Sequence, residues 1–553
     1  MMNPVPWLQM TNMISYQGLV RTFLSGIMAI ETIDTVVFKK VESRILDVIP
    51  ESWVKTTLGE CFKWGSGGTP KSGNPEYYGG NIPWLVIGDL NDGIINESTQ
   101  KINEKGLQNS SAKLVDEGTL LLAMYGSIGK LGIAGMKLAT NQAIAFAEKN
   151  EIETKYLFNF LRYARLELAG LGKGATQQNI SQTVIKAFPF PLAPVNEQKR
   201  IVAKIEQLFS ELDNGITALE TAREQLKIYR QAVLKHAFEG KLTAKWREKN
   251  ADKLKSTEQL LAHIQQERES RYQHQLNDWK TAIKEWEANG KDGKKPGKPK
   301  KPSHLTPVSE ASKEELPQLP ASWSYIRLGN LIDEPAYGTS AKCDYETGDQ
   351  SVLRIPNISA GKIDDSDLKF ANFQKGEVDH LRLMSGDILT IRSNGSISLV
   401  GSCALINEKD TKHIFAGYLI RLRTNKKTLK PEYLLAAMSS HFIRKQIESS
   451  AKSTSGVNNI NSGELQNIIL PLTTVEEQEE LMSRLDSILP LINSTEIEID
   501  KQLVKAEILR QSILKKAFSG KLVTQDPHDA PASELLAHIQ MQKNERKRRA
   551  IKR

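Results

Sequence analysis

The sequence repeats the hexapeptide AFEGKL of residues 237–242 as AFSGKL at residues 517–522, an offset of 280. Upstream, IPESW at residues 49–53 recurs as LPASW at residues 319–323, an offset of 270. The chain therefore contains two copies of one unit of about 190–200 residues, too long for a solenoid repeat and long enough for a domain with an appendage. Because the copies agree at their edges and differ in their middles, we expect two globules that share a scaffold and hold different targets.

Periodicity predicts a long amphipathic helix at the end of each copy. The first runs from Glu197 to Phe238, a rod of about 63 Å, and Gly240 follows where a C′ glycine ends a helix. The second opens with a capping-box pattern at Thr474, ends before Gly520, and contains Pro490, which predicts a kink. Apolar residues recur mostly every three or four positions along both helices, which is the stripe of an amphipathic helix.

Two arrangements of these helices agree with the pattern. A continuous stripe of this length favours an antiparallel coiled coil, which leaves part of the stripe exposed to partner helices. The alternative places each helix separately in the core of a globule. In the coiled coil, the predicted partner-binding residues are Ile201, Ile205, Leu208, Leu212, Leu219, Leu485, Ile492, Ile499 and Leu503.

The rest of each copy carries clusters of Gly, Pro and Asn between short strand-like runs, such as residues 82–87 and 387–391. A short helix is predicted at residues 154–168 and again at 431–448. We therefore predict an α+β fold in which two similar α/β globules are joined by two long antiparallel coiled-coil helices. The predicted segments are an N-terminal extension (1–45), the first globule (46–194), the first long helix (195–243), a charged helix and Lys/Pro-rich linker (244–318), the second globule (319–473), the second long helix (474–523) and a basic C-terminal tail (524–553).

The segments outside the repeat are charged. A charged helix is predicted from Ser256 to Asn289, followed by KDGKKPGKPKKP at residues 291–302, which is typical of a solvated linker; a polyanion-binding arm is the alternative. Residues 542–553 hold seven basic side chains and one acidic, which fits either phosphate contacts or a solvated tail.

Composition indicates a soluble globular protein with a mild preference for polyanions. Of 553 residues, 74 are Lys or Arg and 65 are Asp or Glu, which gives a net charge of +9. The three cysteines lie far apart without CxxC spacing, so we expect neither a zinc ribbon nor a disulfide framework, and a reducing compartment. The sequence has no segment suited to a membrane span or an export signal, and a cytoplasmic protein is expected.

Enzyme motifs fail at particular residues. No Gly-Lys pair is followed by Ser or Thr, so we expect no P-loop. Residues 74–77 approach the Asn/Asp-Pro-Pro-aromatic loop of adenine methyltransferases, but Glu76 replaces the second proline. The carboxylates of residues 365–369 are predicted to lie in a solvated loop, and the nine histidines lack metal-ligand spacing. We therefore predict no catalytic residue and no metal site.

Four features of the sequence point to one family. They are the duplicated globule–helix plan, the Glu-Gln helix starts, the Ala-Phe-x-Gly-Lys-Leu helix ends, and the run from Gly67-Gly68-Thr69-Pro70 through Asn74-Pro75-Glu76-Tyr77 to Ile82-Pro83-Trp84. In these features the chain resembles the specificity subunit of type I restriction-modification systems. The resemblance covers about residues 46–523. It implies that each globule is a target-recognition domain reading one half of a split, asymmetric DNA site, and that the long helices form a spacer and dock two methyltransferase subunits. It further implies that S-adenosylmethionine binds to those subunits, that ATP and Mg²⁺ serve separate restriction subunits, and that this chain binds no cofactor itself.

Residues 1–45 fall outside the resemblance. They are expected either to pack a helix against the long helices or to reflect an early start codon.

One globule reads only the few base pairs that its side chains reach, so two linked globules predict two short blocks separated by unread base pairs. Base contacts need polar and cationic side chains on loops. The predicted DNA contacts in the first globule are Lys71, Ser72, Asn74, Tyr125, Ser127, Lys130, Gln177, Gln178 and Asn179. In the second globule they are Lys342, Arg354, Asn357, Arg392, Ser393, Asn394, Asn458 and Asn459, and the 177–180 and 458–460 segments occupy matching places.

Two other classes of function stay open at this point. The chain could be a coiled-coil scaffold whose globules bind protein or RNA. A self-sufficient methylating nuclease is disfavoured by the missing motifs.

Overall fold

The computed structural model describes residues 41, 44–46, 49–173, 178–292, 295–299, 301, 305–359, 361–374, 376–454 and 456–551. The chain divides into two compact units. The first unit comprises Met1–Ala218 and Gln502–Arg553, and the second comprises Leu219–Lys501. Each unit therefore combines a globule with segments of both long helices.

The first globule is built from β1 (Val54–Thr57), β2 (Trp64–Ser66), β3 (Tyr78–Leu85), β4 (Ile94–Ile95), β5 (Gln100–Ile102), β6 (Leu114–Val115), β7 (Leu120–Ala123), β8 (Leu131–Ala134), β9 (Leu138–Thr140), β10 (Ile144–Ala147) and β11 (Pro189–Leu192). Its helices are α1 (Leu58–Cys61), α2 (Glu104–Gln108), α3 (Thr154–Tyr163), α4 (Arg165–Gly170) and α5 (Gln182–Ala187). The helix expected at 154–168 is thus two helices, because the chain breaks at Ala164.

The connecting region holds α6 (Val195–Phe238), α7 (Ala244–Lys249), α8 (Thr257–Ala288) and α9 (Glu310–Glu314). The second globule follows with β12 (Ser324–Arg327), β13 (Ala336–Tyr337), β14 (Gln350–Leu353), β15 (Ile358–Ser359), β16 (Lys362–Ile363), β17 (Lys369–Ala371), β18 (Asp387–Ile391), β19 (Ser393–Asn394), β20 (Cys403–Leu405), β21 (Ile414–Phe415), β22 (Leu419–Arg423), β23 (Lys452–Thr454), β24 (Val457–Asn459) and β25 (Ile469–Leu472). Its helices are α10 (Pro431–Met438), α11 (His441–Ser450) and α12 (Ser462–Asn467), and the chain ends with α13 (Val475–Phe518) and α14 (Ala532–Ile551).

The two globules share a core strand order although their middle sequences differ, and the sheets of the first globule carry two additional strands, β4 beside β8 and β6 beside β9. Strands β2-β10-β7-β8 form an antiparallel series in the first globule, and β13-β22-β18-β20 repeat that order in the second. A second sheet joins β3 antiparallel to β5 and parallel to β9, as β14 joins β17 and β21. The central strands β7 and β18 are buried along their whole length, which explains their continuous apolar runs. The predicted fold class is confirmed.

The long helices pair antiparallel within each unit. In the first unit Arg510 of α13 forms an ion pair with Asp213 of α6. In the second unit Arg223 Nη1 lies 3.3 Å from Asp500 Oδ1, and Arg230 Nη2 lies 2.7 Å from Glu496 Oε2. From Arg223 to Arg230 the residue numbers rise along α6, whereas those of their partners on α13 fall from Asp500 to Glu496. The two helices therefore run in opposite directions, as predicted. Helix α13 continues through Pro490.

Many apolar side chains of the two long helices are buried within this chain. The prediction that they bind partner subunits is therefore corrected. Ile201 and Ile205 lie in the core of the first unit, and Leu485 lies in the core of the second. Ile492 and Ile499 are also buried, so their side chains offer no surface to a partner. The other predicted partner residues, Leu208, Leu212, Leu219 and Leu503, are half-buried.

The end of each long helix completes the core of a globule. Phe518, at the end of α13, lies among Tyr156, Phe160 and Tyr163 of the first globule, with ring centroids 5.2, 5.3 and 5.9 Å away. Phe238, at the end of α6, meets Tyr433 of the second globule with a centroid separation of 5.2 Å. The phenylalanine of each recurrent Ala-Phe pair therefore fills part of the core of a globule.

The glycine after each helix explains why two distant motifs recur together. Gly240 and Gly520 adopt φ of +71° and +67° and end their helices in the left-handed conformation. A Cβ at Gly240 would lie 2.6 Å from the ring of Pro320, and a Cβ at Gly520 would lie 2.2 Å from the ring of Pro50. The helix end therefore packs directly on the x-Pro-x-Ser-Trp segment that opens each globule.

The Glu-Gln pair at each helix start connects the helix to its surroundings. Gln478 Oε1 accepts from the backbone N of Lys430 at 2.9 Å, and Gln198 Oε1 accepts from the backbone N of Glu153 at 3.0 Å, so each glutamine holds the start of a globule helix. Buried Glu477 accepts from Thr243 and Arg247, which follow α6.

Glu197 plays the matching part at the start of α6. It accepts from Trp53 and from Gln525, which follows α13. Burial raises the pKa of Glu197, and these donors oppose that shift.

A further helix closes each globule. Leu260 and Ile264 of α8 are buried in the second unit, and Leu535 and Ile539 of α14 are buried in the first. Where it is described, the predicted linker is largely exposed, and the carbonyl of Pro296 accepts a hydrogen bond from Trp279 Nε1 at 3.0 Å. The basic tail is helical through Ile551.

Most of the N-terminal extension lies outside the described residues. Val41 and Ile45 are buried in the core of the first unit.

Replacing Phe518 with Ala tests whether its ring completes the core of the first unit. We expect the first unit to lose about 3–5 kcal/mol of unfolding free energy, because the cavity opens among three aromatic rings. Leu509→Ala, on the exposed side of the same helix, is the control and should change stability by less than about 0.5 kcal/mol. Thermal unfolding combined with limited proteolysis of residues 49–173 measures both effects; equal behaviour of the two variants would contradict the assignment.

Candidate nucleic-acid interface

Two loops meet at one edge of the first globule. The turn after β7 begins at Tyr125 and relies on Gly126 and Gly129, whose φ values are +65° and +84°. Tyr125 forms an antiparallel bridge with Asn179, and the backbone N of Gly126 donates to the carbonyl of Gln178 at 3.0 Å. The side chains of Ser127, Gln178 and Asn179 are exposed, and those of Tyr125 and Lys130 are half-buried. Five of the predicted contact residues are thus gathered on one surface.

The second globule forms the same junction from different residues. Ser393 pairs with Asn459 and Asn394 with Asn458 in antiparallel register. The backbone N of Ile460 donates to the carbonyl of Arg392 at 2.9 Å, as Ile180 donates to Met124 in the first globule. The predicted correspondence of the two segments is therefore seen in their hydrogen bonding. Gln177 lies outside the described residues.

Arg392 anchors an aromatic cluster beside this junction. Its guanidinium lies 4.8 Å from the ring centroid of Tyr337, and its backbone N donates to the carbonyl of Tyr418 at 3.0 Å. The side chain of Tyr418 is 63% exposed. An arginine beside exposed aromatic rings can bind phosphates and stack on unpaired bases. The sequence prediction missed both tyrosines; an aromatic residue at each strand end was the available signal.

A cleft of about 530 Å³ opens next to this cluster and is lined by Arg354, Lys369 and Tyr418 among others. The Lys369 ammonium lies 4.6 Å from the ring centroid of Tyr345, and the Arg354 guanidinium lies 5.9 Å from it. The cleft therefore contains two cations, of which Arg354 is paired with Asp367 at 3.0 Å, and the aromatic ring of Tyr418. Lys342 is exposed.

Asn357 is placed differently from its prediction. It is 1% exposed, and its side-chain amide donates to the carbonyls of Asp364 and Asp367 while its oxygen accepts from the backbone N of Arg354. All of its side-chain groups are thus engaged within the loop. Asn357 positions Arg354 and does not present its amide to a ligand.

A glycine-rich loop supports the remaining candidates of the first globule. Trp84 Nε1 donates to the carbonyl of Gly68 at 3.0 Å, and the Tyr78 hydroxyl donates to the carbonyl of Pro70 at 2.8 Å. Lys71 and Ser72 follow on the exposed side. Asn74 is half-buried and caps a short 3₁₀ turn by accepting from the backbone N of Glu76, which is a structural role.

Neither a metal cluster nor a membrane helix appears in the ranges given above. Among those residues, no three His, Cys, Asp or Glu side chains gather closely enough to bind a metal ion. None of the helices described is long and apolar enough to cross a bilayer. Burial raises the pKa of Cys61 to about 12 and that of Cys403 to about 11, so these thiols are poor nucleophiles at neutral pH.

The geometry therefore defines a class of protein with two similar units, each of which combines a globule that presents a polar loop junction with an antiparallel pair of helix segments. The sequence profile described as "Type I restriction modification DNA specificity domain" matches residues 50–221 and 320–505. The chain belongs to this family, as the sequence resemblance predicted.

Two curated relatives illustrate the similarity. The EcoKI specificity subunit of Escherichia coli (strain K12) is 26% identical over 362 residues, which span 65% of this chain and 63% of that subunit. The StySPI specificity subunit of Salmonella potsdam is 22% identical over 488 residues, which span 86% of this chain and 90% of that subunit.

A solved chain from work on complex assembly and conformational transition of the type I R-M system shares the fold with a TM-score of 0.58. It is 18% identical, and the match covers 86% of this chain and 99% of that chain.

Gly67 tests whether the glycine-rich loop supports the interface. A Cβ at Gly67 would lie 1.8 Å from the carbonyl oxygen of Thr140, whereas a Cβ at Gly73 would meet no atom within 4 Å. We expect Gly67→Ala to cost about 1–3 kcal/mol of unfolding free energy, because backbone must move. Gly73→Ala should be neutral or stabilise by up to about 1 kcal/mol. Denaturant unfolding of the two variants measures both free energies. An unchanged free energy of unfolding for Gly67→Ala would show that the loop is not held against Thr140.

Proposed function

We propose that this chain is the DNA sequence-recognition subunit of a type I restriction-modification complex and that it reads a bipartite, asymmetric site. The observation that supports this most directly is the equivalent loop junction in both globules, carried on one topology but with different side chains. The first presents Tyr125, Ser127 and Gln178, and the second presents Arg392, Asn394 and Asn458. Such groups hydrogen-bond to base edges and phosphates, and different sets select different bases. The two blocks of the site should therefore differ.

We also propose that the chemistry resides on partners. Methyl transfer would be carried out by two methyltransferase subunits that bind S-adenosylmethionine, and restriction by subunits that use ATP and Mg²⁺. The chain would bring these subunits to the site without catalysing a step itself. The length of the helix pair would then set the number of unread base pairs between the blocks.

The surface that suits the methyltransferase subunits is the outer face of the long helices. The buried stripe is unavailable, but other apolar side chains on both helices are each more than half exposed. In the first unit they are Val504, Ile508 and Leu509, and in the second they are Ile228, Tyr229, Leu491 and Ile497. Exposed apolar residues in this number indicate a protein interface rather than a solvated face.

Arg392→Gln tests DNA recognition. We expect binding of the full chain, with its methyltransferase partners, to cognate duplex DNA to weaken by about 1–3 kcal/mol, because a cation at the loop junction is removed. Arg382→Gln is the control, since Arg382 is exposed and pairs with Asp379. Gel-shift or anisotropy titrations at fixed salt measure both. Indifference of the wild-type complex to duplex DNA would overturn the proposal and favour a protein- or RNA-binding scaffold.

Ile508→Asp tests partner docking. A charge placed on the outer face of α13 should weaken association with the methyltransferase subunit by at least about tenfold, because the carboxylate would have to be desolvated. Leu166→Asp makes the same change at a comparably exposed leucine of the first globule and should leave association unchanged. Analytical ultracentrifugation of the mixed subunits distinguishes the two, and equal association by both variants would place the docking surface elsewhere.

A further inference from the structure

One turn in each globule follows a central buried strand and carries part of the candidate nucleic-acid interface. In the second globule, residues 392–402 connect β18 to β20 and include β19. In the first globule, residues 124–130 connect β7 to β8. We call these two segments the junction turns. The candidate DNA contact Asn394 lies on the second junction turn, and the candidate contact Ser127 lies on the first.

Each junction turn ends on a glycine in the left-handed conformation. Gly401 has a φ of +79° and Gly129 has a φ of +84°. The backbone N of Gly401 donates to the carbonyl of Ile391 at 2.7 Å, and Ile391 is the last residue of β18. The backbone N of Gly129 donates to the carbonyl of Ala123, the last residue of β7, at 3.2 Å. The two turns are therefore closed in the same way, although their lengths differ.

In the second globule, Arg444 of α11 binds the carbonyl end of the junction turn. Its Nη1 donates to the carbonyl of Val400 at 2.6 Å, and its Nη2 donates to the carbonyl of Ser398 at 3.1 Å. Residues 397–399 form a single 3₁₀ turn, and the last carbonyls of such a turn need donors from outside it. A Cβ at Gly401 would lie 3.1 Å from Arg444 Nη1, so the guanidinium packs directly against the turn.

In the first globule, Arg165 of α4 occupies the equivalent place. A Cβ at Gly129 would lie 2.9 Å from Arg165 Cγ, so the stem of the arginine packs against the end of the turn. The Arg165 guanidinium donates to both carboxylate oxygens of Asp92, at 3.1 and 2.5 Å. Asp92 Oδ1 also accepts from the backbone N of Leu131, the first residue of β8, at 2.9 Å. Arg165 is thus connected to its turn through Asp92, whereas Arg444 donates to its turn directly.

The contacts of Arg444 lead to the candidate DNA contacts. Ser398, whose carbonyl Arg444 binds, is exposed, and its hydroxyl lies 2.9 Å from that of Ser396. The backbone N of Ser396 donates to Asn394 Oδ1 at 2.8 Å. Arg444 Nη2 also lies 3.4 Å from Glu448 Oε1. Because the donors of Arg444 are directed to the protein, we expect this arginine to influence DNA through the turn.

We propose that Arg444 and Arg165 are positioning residues for DNA recognition, each of which holds the junction turn of its own globule in the conformation that reads one block of the site. This inference rests on the proposed function. Base readout requires polar atoms at fixed positions, whereas phosphate attraction requires only nearby cations. Loss of either arginine should therefore lower the preference for the correct bases and leave general affinity for DNA unchanged.

The test uses the full chain with its methyltransferase partners and four duplexes: the site defined by a methylation map of the host, two versions altered in one block each, and an unrelated sequence. We expect Arg444→Gln to lower the preference for the intact site over one altered duplex by at least about tenfold, the size of one lost base-pair contact. Preference at the other block, affinity for the unrelated duplex and its salt dependence should match wild type. Arg165→Gln should affect the other block only.

Two further variants separate positioning from charge. Arg444→Lys, which still donates to a carbonyl but lacks the fork, should recover part of the preference. Lys445→Gln removes the same charge from the neighbouring, exposed position of α11 and should keep the preference at both blocks. Equal preference in folded Arg444→Gln and wild type would overturn the proposal. An equal loss of affinity for all four duplexes would also overturn it, because it would make Arg444 a phosphate contact.

Hydrogen exchange without DNA distinguishes this inference from the proposed function. The amides of Val400 and Gly401 donate within the second junction turn and to β18. They should exchange at least about tenfold faster in Arg444→Gln than in wild type, and at the wild-type rate in Lys445→Gln. Unchanged exchange in Arg444→Gln would overturn the positioning role. A wild-type complex without preference among the duplexes would overturn the proposed function, and the exchange rates would still decide whether Arg444 holds the turn.

Discussion

The structure depends on burying the end of each long helix in a globule that the chain has built from distant residues. Phe518 packs against three aromatic rings of residues 156–163, and Phe238 packs against Tyr433. The buried carboxylates at the helix starts add a polar counterpart. Each lies next to groups that follow the end of the antiparallel helix, so leaving them unpaired would be costly. These contacts explain why the helix starts, the helix ends and the Pro-x-Ser-Trp segments recur together.

A scaffold fixed in this way leaves the loops free to differ. The two globules keep the same strand order through regions where their sequences no longer match, because buried strands need only apolar side chains of suitable volume. The loop junction uses backbone hydrogen bonds, such as Ile180 to Met124 and Ile460 to Arg392, which any residue can make. The side chains of Ser127, Gln178 and Asn179 at the first junction are exposed, whereas those of Asn394 and Asn458 at the second are half-buried and hydrogen-bonded within their loop.

Sequence analysis predicted the architecture well because its signals are local. The helix bounds follow from apolar spacing and from Gly240 and Gly520. Tyr125 and Asn179 were both predicted as DNA contacts, but no sequence pattern paired them, and their bridge is seen only in the structure. Periodicity shows that one face of a helix is buried but not what covers it, so Ile201 and Ile492 were wrongly offered to partners. Burial of Asn357 depends on the carbonyls of Asp364 and Asp367, which only the folded loop brings together. A crevice lined by Arg268 and Arg421 lies between α8 and β22. These two elements are about 150 residues apart in sequence, so no local sequence pattern predicts that they meet.

The most direct test of two dissimilar readers on one scaffold is a methylation map of host DNA before and after the first globule is exchanged for that of another family member. The account predicts a two-block motif in which one block changes while the other block and the spacing between them stay the same. Loss of both blocks, or an unaltered motif, would contradict it.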